Sequence, residues 1–223
     1  IMFYTIDNFL TLDDLRKLHI IYDNEAPLAS GKYGNEENKL VKNNLVMEHG
    51  EPYYKCSDII KNQLILNSEL VHYTSLKRTS EFTFTEFRKG HFYDSHIDAY
   101  YMENYVRTDL SCTIFLSDPS EYEGGELSIN IGNREVDYKL PAGSLLLYPT
   151  NEYHRVKPVT SGKRRVCIFW IESHICDPTV RQALGELSRV FFDDGVGLNS
   201  AEEIKKVIQK PIFSLKKQFS TLS

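Results

Sequence analysis

The sequence predicts an α+β fold in which helices flank a β-sandwich or barrel. Two observations carry this. Between Leu76 and Ser173, apolar and polar residues alternate in short runs, the period of strands with one buried face. Before and after that region, apolar residues recur at helical spacing. No helical pattern interrupts the strand-like region, which favours a sandwich or barrel over a parallel sheet with crossover helices.

The chain has 223 residues, 41% hydrophobic and 26% charged, enough for one sizeable domain with a packed core. Asp and Glu (31) outnumber Lys and Arg (26), a net charge of −5 that argues against nucleic acid as the main partner. No apolar run is long enough for a transmembrane helix, and the first residues, IMFYTIDNFLTLDD, lack the basic and apolar regions of a secretory signal. Cys56, Cys112, Cys167 and Cys176 form no Cys-x-x-Cys pair, which points to free thiols and a cytoplasmic, reducing setting.

In chain order, MFYTI reads as a short strand. Thr11 with Asp14 reads as a capping box opening the helix LDDLRKLHIIYDN. Residues 26–38, rich in Gly and Asn, read as a loop, and Ser57 as the start of a second helix, DIIKNQLILNSELVHY. His19 and His72 on these helices read as packed or surface residues. Strand-like runs follow at 76–88, 91–98, 107–116, 125–131, 134–140, 144–148, 153–159 and 164–173. Turn signals such as Lys89-Gly90, Asp118-Pro119, Gly124-Gly125 and Ser161-Gly162 separate them. Asp177-Pro178 caps a helix, TVRQALGELSRVFF, that a Gly/Asp turn at 193–197 ends; Ser200 caps AEEIKKVIQK, and Pro211 is expected to interrupt it before IFSLKKQF. Residues 1–175 are thus expected to form one domain, and 176–223 a helical extension that either covers the barrel or forms a homodimer surface.

The chemistry concentrates in YDSHID. On a strand, His96 and Asp98 would point to one face and offer a metal one nitrogen and one oxygen. The third ligand is assigned to His154, just after the apolar run SLLLYP. Two His and one carboxylate on one face of a metal leave the opposite positions open, as in non-haem Fe(II) oxygenases. Arg164, on the next strand run, needs an anionic partner: the far carboxylate of a dicarboxylate cosubstrate, or an internal Asp or Glu. Its neighbour Arg165 should face the other way, toward the surface. His91 and His174 read as structural, and Asp109 and Glu126 as no more than neighbours of the site. Tyr100, Tyr101 and Tyr105 read either as a substrate-facing loop or as a packed surface loop.

The sequence resembles the PKHD-type hydroxylases, relatives of the prolyl 4-hydroxylases within the Fe(II)/2-oxoglutarate dioxygenases. The resemblance rests on Val41-Lys42-Asn43-Asn44, Tyr93-x-x-His96-x-Asp98, RTDLSCTIFLSDP, YEGGEL, KLPAGSLLLYP, and His154 with PVTSGKR, in that order over roughly residues 40 to 190. It implies a double-stranded β-helix, or jelly-roll, core with helices packed outside. It also implies Fe(II) on His96, Asp98 and His154, 2-oxoglutarate on Arg164, O2 as the second cosubstrate and ascorbate as a reductant. Many relatives carry a tyrosine at the position of Phe87, so either another hydroxyl, from Tyr93 or Thr113, meets the cosubstrate or the affinity for it is lower. The implied reaction hydroxylates an amino-acid, peptide or protein side chain, prolyl among them, with release of succinate and CO2. The competing readings are a nucleic-acid demethylase, a non-catalytic metal- or 2-oxoglutarate-binding module, and a cupin-like metalloenzyme without 2-oxoglutarate.

Overall fold

In a computed structural model of the chain, residues 3–34, 40–192 and 201–219 are described. Eight antiparallel strands form the core: β1 (Thr83–Arg88), β2 (Phe92–His96), β3 (Leu110–Phe115), β4 (Leu127–Ile131), β5 (Arg134–Tyr138), β6 (Leu145–Pro149), β7 (His154–Val156) and β8 (Val159–Ser173). They divide four and four between two sheets, changing sheet at every connection except the β4–β5 hairpin. The larger sheet runs β6–β3–β8–β1, the smaller β5–β4–β7–β2. This is the expected jelly roll.

Further strands widen both sheets. Tyr4–Ile6 pairs with β6, and Leu45–Met47 pairs with β1 and with Leu28–Ser30. Leu40–Asn43 pairs with β2 and with Tyr33–Gly34. The stretch expected to be a loop therefore contains edge strands, held by backbone pairing without an apolar pattern to reveal them; its residues 35–38 lie outside the described ones. The run 76–88 divides into Leu76–Thr79 and β1, which both pair with β8.

Period-2 alternation sorts β8 into two faces. Val166 and Ile168 belong to the apolar layer between the sheets, whereas Cys167, Phe169 and Ile171 face the helices. On that outer side lie α1 (Leu12–Asn24), α2 (Glu51–Leu66) and α3 (Ser68–Thr74), which contribute Leu18, Ile60 and Leu70 to the same cluster. Burying each such side chain contributes about 1.5–3 kcal/mol. The thiols of Cys56, Cys112 and Cys167 are buried and free, and that of Cys176 is exposed and free.

Thr11 caps α1 as expected: its hydroxyl accepts from the Asp14 amide at 3.1 Å, and the Asp14 carboxylate accepts from the Thr11 amide at 3.0 Å. The second helix starts earlier than expected, at Glu51, with Pro52 in its first turn. Ser57 is not its cap. It is buried mid-helix and donates to the Tyr53 carbonyl at 2.8 Å, the i−4 bond that satisfies an interior serine. Asn67 accepts from the Leu70 amide at 2.7 Å and so starts α3 as a separate helix. Asp177 caps α4 (Pro178–Phe192) by accepting from the amides of Thr179 and Val180 at 2.8 and 2.9 Å. The turn at 193–197 and the Ser200 cap fall outside the described residues. α5 (Ala201–Phe219) runs through Pro211, contrary to expectation. The ring costs one backbone bond, but Pro211 is buried, and that packing carries the helix past it. No helix of the described residues is long and apolar enough to cross a membrane.

Arg165 also departs from expectation. It faces away from Arg164, as alternation requires, but it is buried. Its guanidinium donates to Glu86 at 2.7 Å and to Asp23 at 2.6 Å, and it lies against His19, whose Nε2 meets the Leu116 carbonyl at 2.9 Å. The helix layer covers this face of β8, so the charge is neutralised inside the protein instead of by water.

The far end of β8 is held by charge. Glu172 accepts from Lys77 Nζ at 2.6 Å, from Arg78 Nε at 2.7 Å and from the Arg107 amide at 3.2 Å. The Lys77 ammonium, supported by Arg78 and the Arg107 amide and opposed by burial, pulls the Glu172 carboxyl from 4.5 to about 2. A carboxyl with a lower pKa when folded stabilises the fold above its unfolded pKa, and that contribution fades as pH falls through the folded value. Glu172→Gln is therefore expected to be less stable than the parent at pH 7. The gap should shrink as pH falls from 4.5 toward about 2, as urea titrations across that range would show.

Candidate active site

Strand pairing brings the separated ligand candidates together. His154 opens β7 directly opposite His96, which ends β2. Asp98 lies just beyond the strand, not on it. The ligating atoms of His96, Asp98 and His154 all lie within 4.8 Å of one another. Each imidazole Nε2 stands 3.6 Å from Asp98 Oδ1.

The surroundings set which atoms are available. His96 Nδ1 meets the Asp94 carbonyl at 2.7 Å, and His154 Nδ1 meets the Glu152 carbonyl at 3.0 Å. A carbonyl only accepts, so each Nδ1 carries the proton and each Nε2 keeps a lone pair for a metal. Asp98 Oδ2 accepts from Ser111 Oγ at 2.7 Å and from the Trp170 indole at 2.9 Å, leaving Oδ1 toward the histidines. Burial raises the Asp98 pKa, but His96, His154, Trp170 and Ser111 together outweigh it and hold the carboxyl below its usual value. For His154 burial dominates and lowers the pKa, favouring the neutral, ligating form. The Tyr93 ring stacks on His96 with centroids 3.7 Å apart, and Tyr148 meets His154 edge-on at 5.2 Å.

The triad opens into a cavity of about 300 Å³ between the sheets, whose walls include Thr113, Arg164, Ile168 and Trp170. Arg164 is 1% exposed, and its guanidinium lies over the rings of Phe87 at 5.2 Å and Phe115 at 5.8 Å. Its Nε and Nη1 meet no hydrogen-bond partner among the described residues. Burial opposes its charge while Tyr122 and the charge of Glu126 favour it, but no described acid forms a salt bridge with it, and a buried cation with two unsatisfied nitrogens calls for a ligand. Gly125, at φ +66°, makes room: a β-carbon there would lie 3.1 Å from Arg164 Cδ. Gly124, at φ +67°, is required for another reason: a β-carbon there would collide with the Pro158 carbonyl oxygen.

His91 lies in the turn before β2 and His174 is exposed beyond β8. Neither lines the cavity, nor do Asp109 and Glu126. Asp109 instead pairs with Arg107 at 2.7 Å and Arg181 at 3.4 Å. Sequence reasoning missed Ser111 and Trp170. Both were detectable: Trp170 shares the parity of Arg164 on one strand, and Ser111 is a polar residue at the parity of Thr113 in an apolar run.

Two imidazoles and a carboxylate around a cavity with a buried guanidinium that keeps two unsatisfied nitrogens fit a metal with open positions and a dicarboxylate. A family model for the 2OG-Fe(II) oxygenase superfamily matches residues 82–172. A PKHD-type hydroxylase of Rippkaea orientalis is 37% identical over 193 residues, covering 85% of this chain and 86% of the relative. One from Colwellia psychrerythraea is 40% identical over 152 residues, covering 67% and 68%. The crystal structure of a Pseudomonas putida prolyl-4-hydroxylase superposes with a TM-score of 0.54 at 18% identity, over 78% of this chain and 93% of that one, and shares the fold. Fold and site define an Fe(II)- and 2-oxoglutarate-dependent oxygenase. Within that class, the chain belongs to the PKHD-type hydroxylases.

Ser111 and Trp170 hold Oδ2 of Asp98 and so orient Oδ1 toward the histidines, and such supporting bonds typically contribute about 10- to 100-fold in metal affinity. Ser111→Ala and Trp170→Phe are each expected to weaken Fe(II) binding on that scale while keeping the parent's far-UV circular dichroism. Anaerobic chelator competition would measure it.

Proposed function

We propose that His96, Asp98 and His154 hold Fe(II), that Arg164 anchors the far carboxylate of 2-oxoglutarate, and that the product is a hydroxylated amino-acid side chain, prolyl among the candidates. The observation that carries the reading is the buried Arg164 guanidinium, with two unsatisfied nitrogens, in the same cavity as the triad. When bound, Fe(II) with 2-oxoglutarate supplies oxygen activation, coupled to release of succinate and CO2. The protein binds, orients and excludes water. Nε2 of His96, Nε2 of His154 and Asp98 Oδ1 face the metal, and the carbonyls of Asp94 and Glu152 lock the two rings. Phe87 and Phe115 flank the guanidinium and keep water from it, which strengthens its pairing with a carboxylate. Thr113, buried on the cavity wall, provides the hydroxyl for that carboxylate in place of the tyrosine that Phe87 replaces. Tyr93, on the opposite sheet, holds the His96 ring by stacking.

The substrate side is the rim where Ile97, Ala99 and Met102 line the opening. Tyr101–Met102 pairs with Val106–Arg107 in a hairpin, and Arg78 Nη2 donates to the Tyr105 carbonyl at 2.8 Å, so this segment is anchored. Tyr100 and Tyr105 are 80% and 84% exposed, large amphipathic surfaces suited to an amino-acid or peptide substrate.

Purified protein with Fe(II), 2-oxoglutarate and O2 is expected to form succinate, and more of it when an amino-acid or peptide substrate is added. His154→Ala should abolish Fe(II) binding and succinate formation. Arg164→Ala should keep Fe(II) binding but weaken 2-oxoglutarate binding by on the order of 30-fold or more, the effect of leaving a buried carboxylate without its partner. Unchanged 2-oxoglutarate affinity would remove Arg164 from its role.

A further inference from the structure

The cavity contains a second set of unsatisfied polar groups, on the wall formed where the chain passes between the sheets. Leu40–Asn43 pairs with the smaller sheet, Lys42 opposite Tyr93. Leu45–Met47 pairs with the larger sheet, Val46 opposite Thr85. Asn44 sits at the crossing, and Lys42, Asn44 and Thr85 all line the cavity. Asn44 and Thr85 are each 1% exposed, and the Asn44 Oδ1 and Nδ2 and the Thr85 Oγ1 meet no hydrogen-bond partner among the described residues. Any β-carbon on Gly31 would collide with Asn44 Oδ1, so that glycine leaves the carboxamide its space. Lys42 Nζ lies 4.8 Å from the Tyr93 ring centroid, and burial lowers its pKa. The carboxylate acting on it is Asp98, whose Oδ2 is already bonded to Ser111 and Trp170.

We infer that Lys42 and Asn44, with Thr85 beside them, form the subsite that binds the primary substrate by an amino-acid carboxylate. This rests on the reading of the triad and Arg164 given above. Charge supports it. Counting Fe(II), Asp98, doubly ionised 2-oxoglutarate, Arg164 and Lys42, the loaded cavity keeps one positive charge, which the carboxylate of a peptide's C-terminal residue cancels; a free amino acid gains the same local pairing while its ammonium leaves the total unchanged. Donor chemistry supports it as well. The Lys42 ammonium and the Asn44 Nδ2 both donate, matching carboxylate oxygens, while Asn44 Oδ1 accepts, matching the N–H beside an α-carboxylate. A free amino acid and the C-terminal residue of a peptide both present that pair of groups.

The test uses the full chain, loaded anaerobically with Fe(II) and saturating 2-oxoglutarate. Its probes are free amino acids including L-proline, N-acetylated dipeptides ending in the same residues, and the C-terminal amide of each. Binding is read by calorimetry and by the fluorescence of Trp170, which lines the cavity. At least one acid is expected to bind, with its amide weaker by about ten-fold or more. Free amino acids binding alone would identify that source; the dipeptides binding as well would identify a chain end. Lys42→Met should erase the acid–amide difference and leave 2-oxoglutarate affinity within about two-fold. Lys42→Arg, which keeps the charge, should retain the difference and guards against misreading a folding defect. Equal binding of acid and amide, a preference that survives Lys42→Met, or no binding by any probe would overturn the inference and leave the Arg164 site standing. Failure of the parent protein to bind 2-oxoglutarate would overturn both.

Discussion

The register of β8 is the constraint on which the rest depends. Arg164 and Arg165 are adjacent, and alternation sends one into the cavity and the other toward the helices. Arg165 finds Glu86 and Asp23 there, so its charge is neutralised by the fold. Arg164 finds two phenyl rings and no acid in salt-bridge contact among the described residues, so its charge is left for a ligand. A slip of one residue would exchange the two arginines and carry Trp170 away from Asp98. Pairing on both sides resists that slip: Arg164 lies opposite Phe87 on β1, and Trp170 opposite Ser111 on β3.

The same strand connects both halves of the site. Arg164 supplies one end and Trp170, through its indole N–H, orients the carboxylate at the other. The histidines come from the smaller sheet, and their rings are fixed by backbone carbonyls two residues earlier in each case. The donor atoms are therefore held by backbone and by buried side chains, with little side-chain freedom left to lose when a metal binds. The groups left for a substrate lie elsewhere, at the anchored tyrosine hairpin and at the Lys42–Asn44 crossing.

The parts legible in the sequence were those with a local signature. His96, Asp98 and His154 announced themselves by residue type beside apolar runs, and the strands by alternation. The Thr11 and Asp177 caps followed from side chains that bond their own backbone nearby. The parts that were missed depend on partners distant in sequence. The edge strands within 26–38 owe their form to Leu45–Met47 and Leu40–Asn43, not to their own composition. Arg165 reads as a surface charge until Glu86 and Asp23 are known to face it. Ser57 resembles a cap until Pro52 is seen to have started the helix earlier. The unsatisfied groups of Asn44 and Thr85 have no sequence signature, because a missing partner is a property of the assembled cavity.

Whether Arg164 is held for a carboxylate is most directly tested by comparing two keto acids that differ only at that end. Metal-loaded protein, kept anaerobic, is titrated with 2-oxoglutarate and with 2-oxopentanoate, which has the same chain and no far carboxylate. 2-Oxoglutarate is expected to bind more tightly by on the order of 30-fold or more. Equal affinity for the two would contradict it.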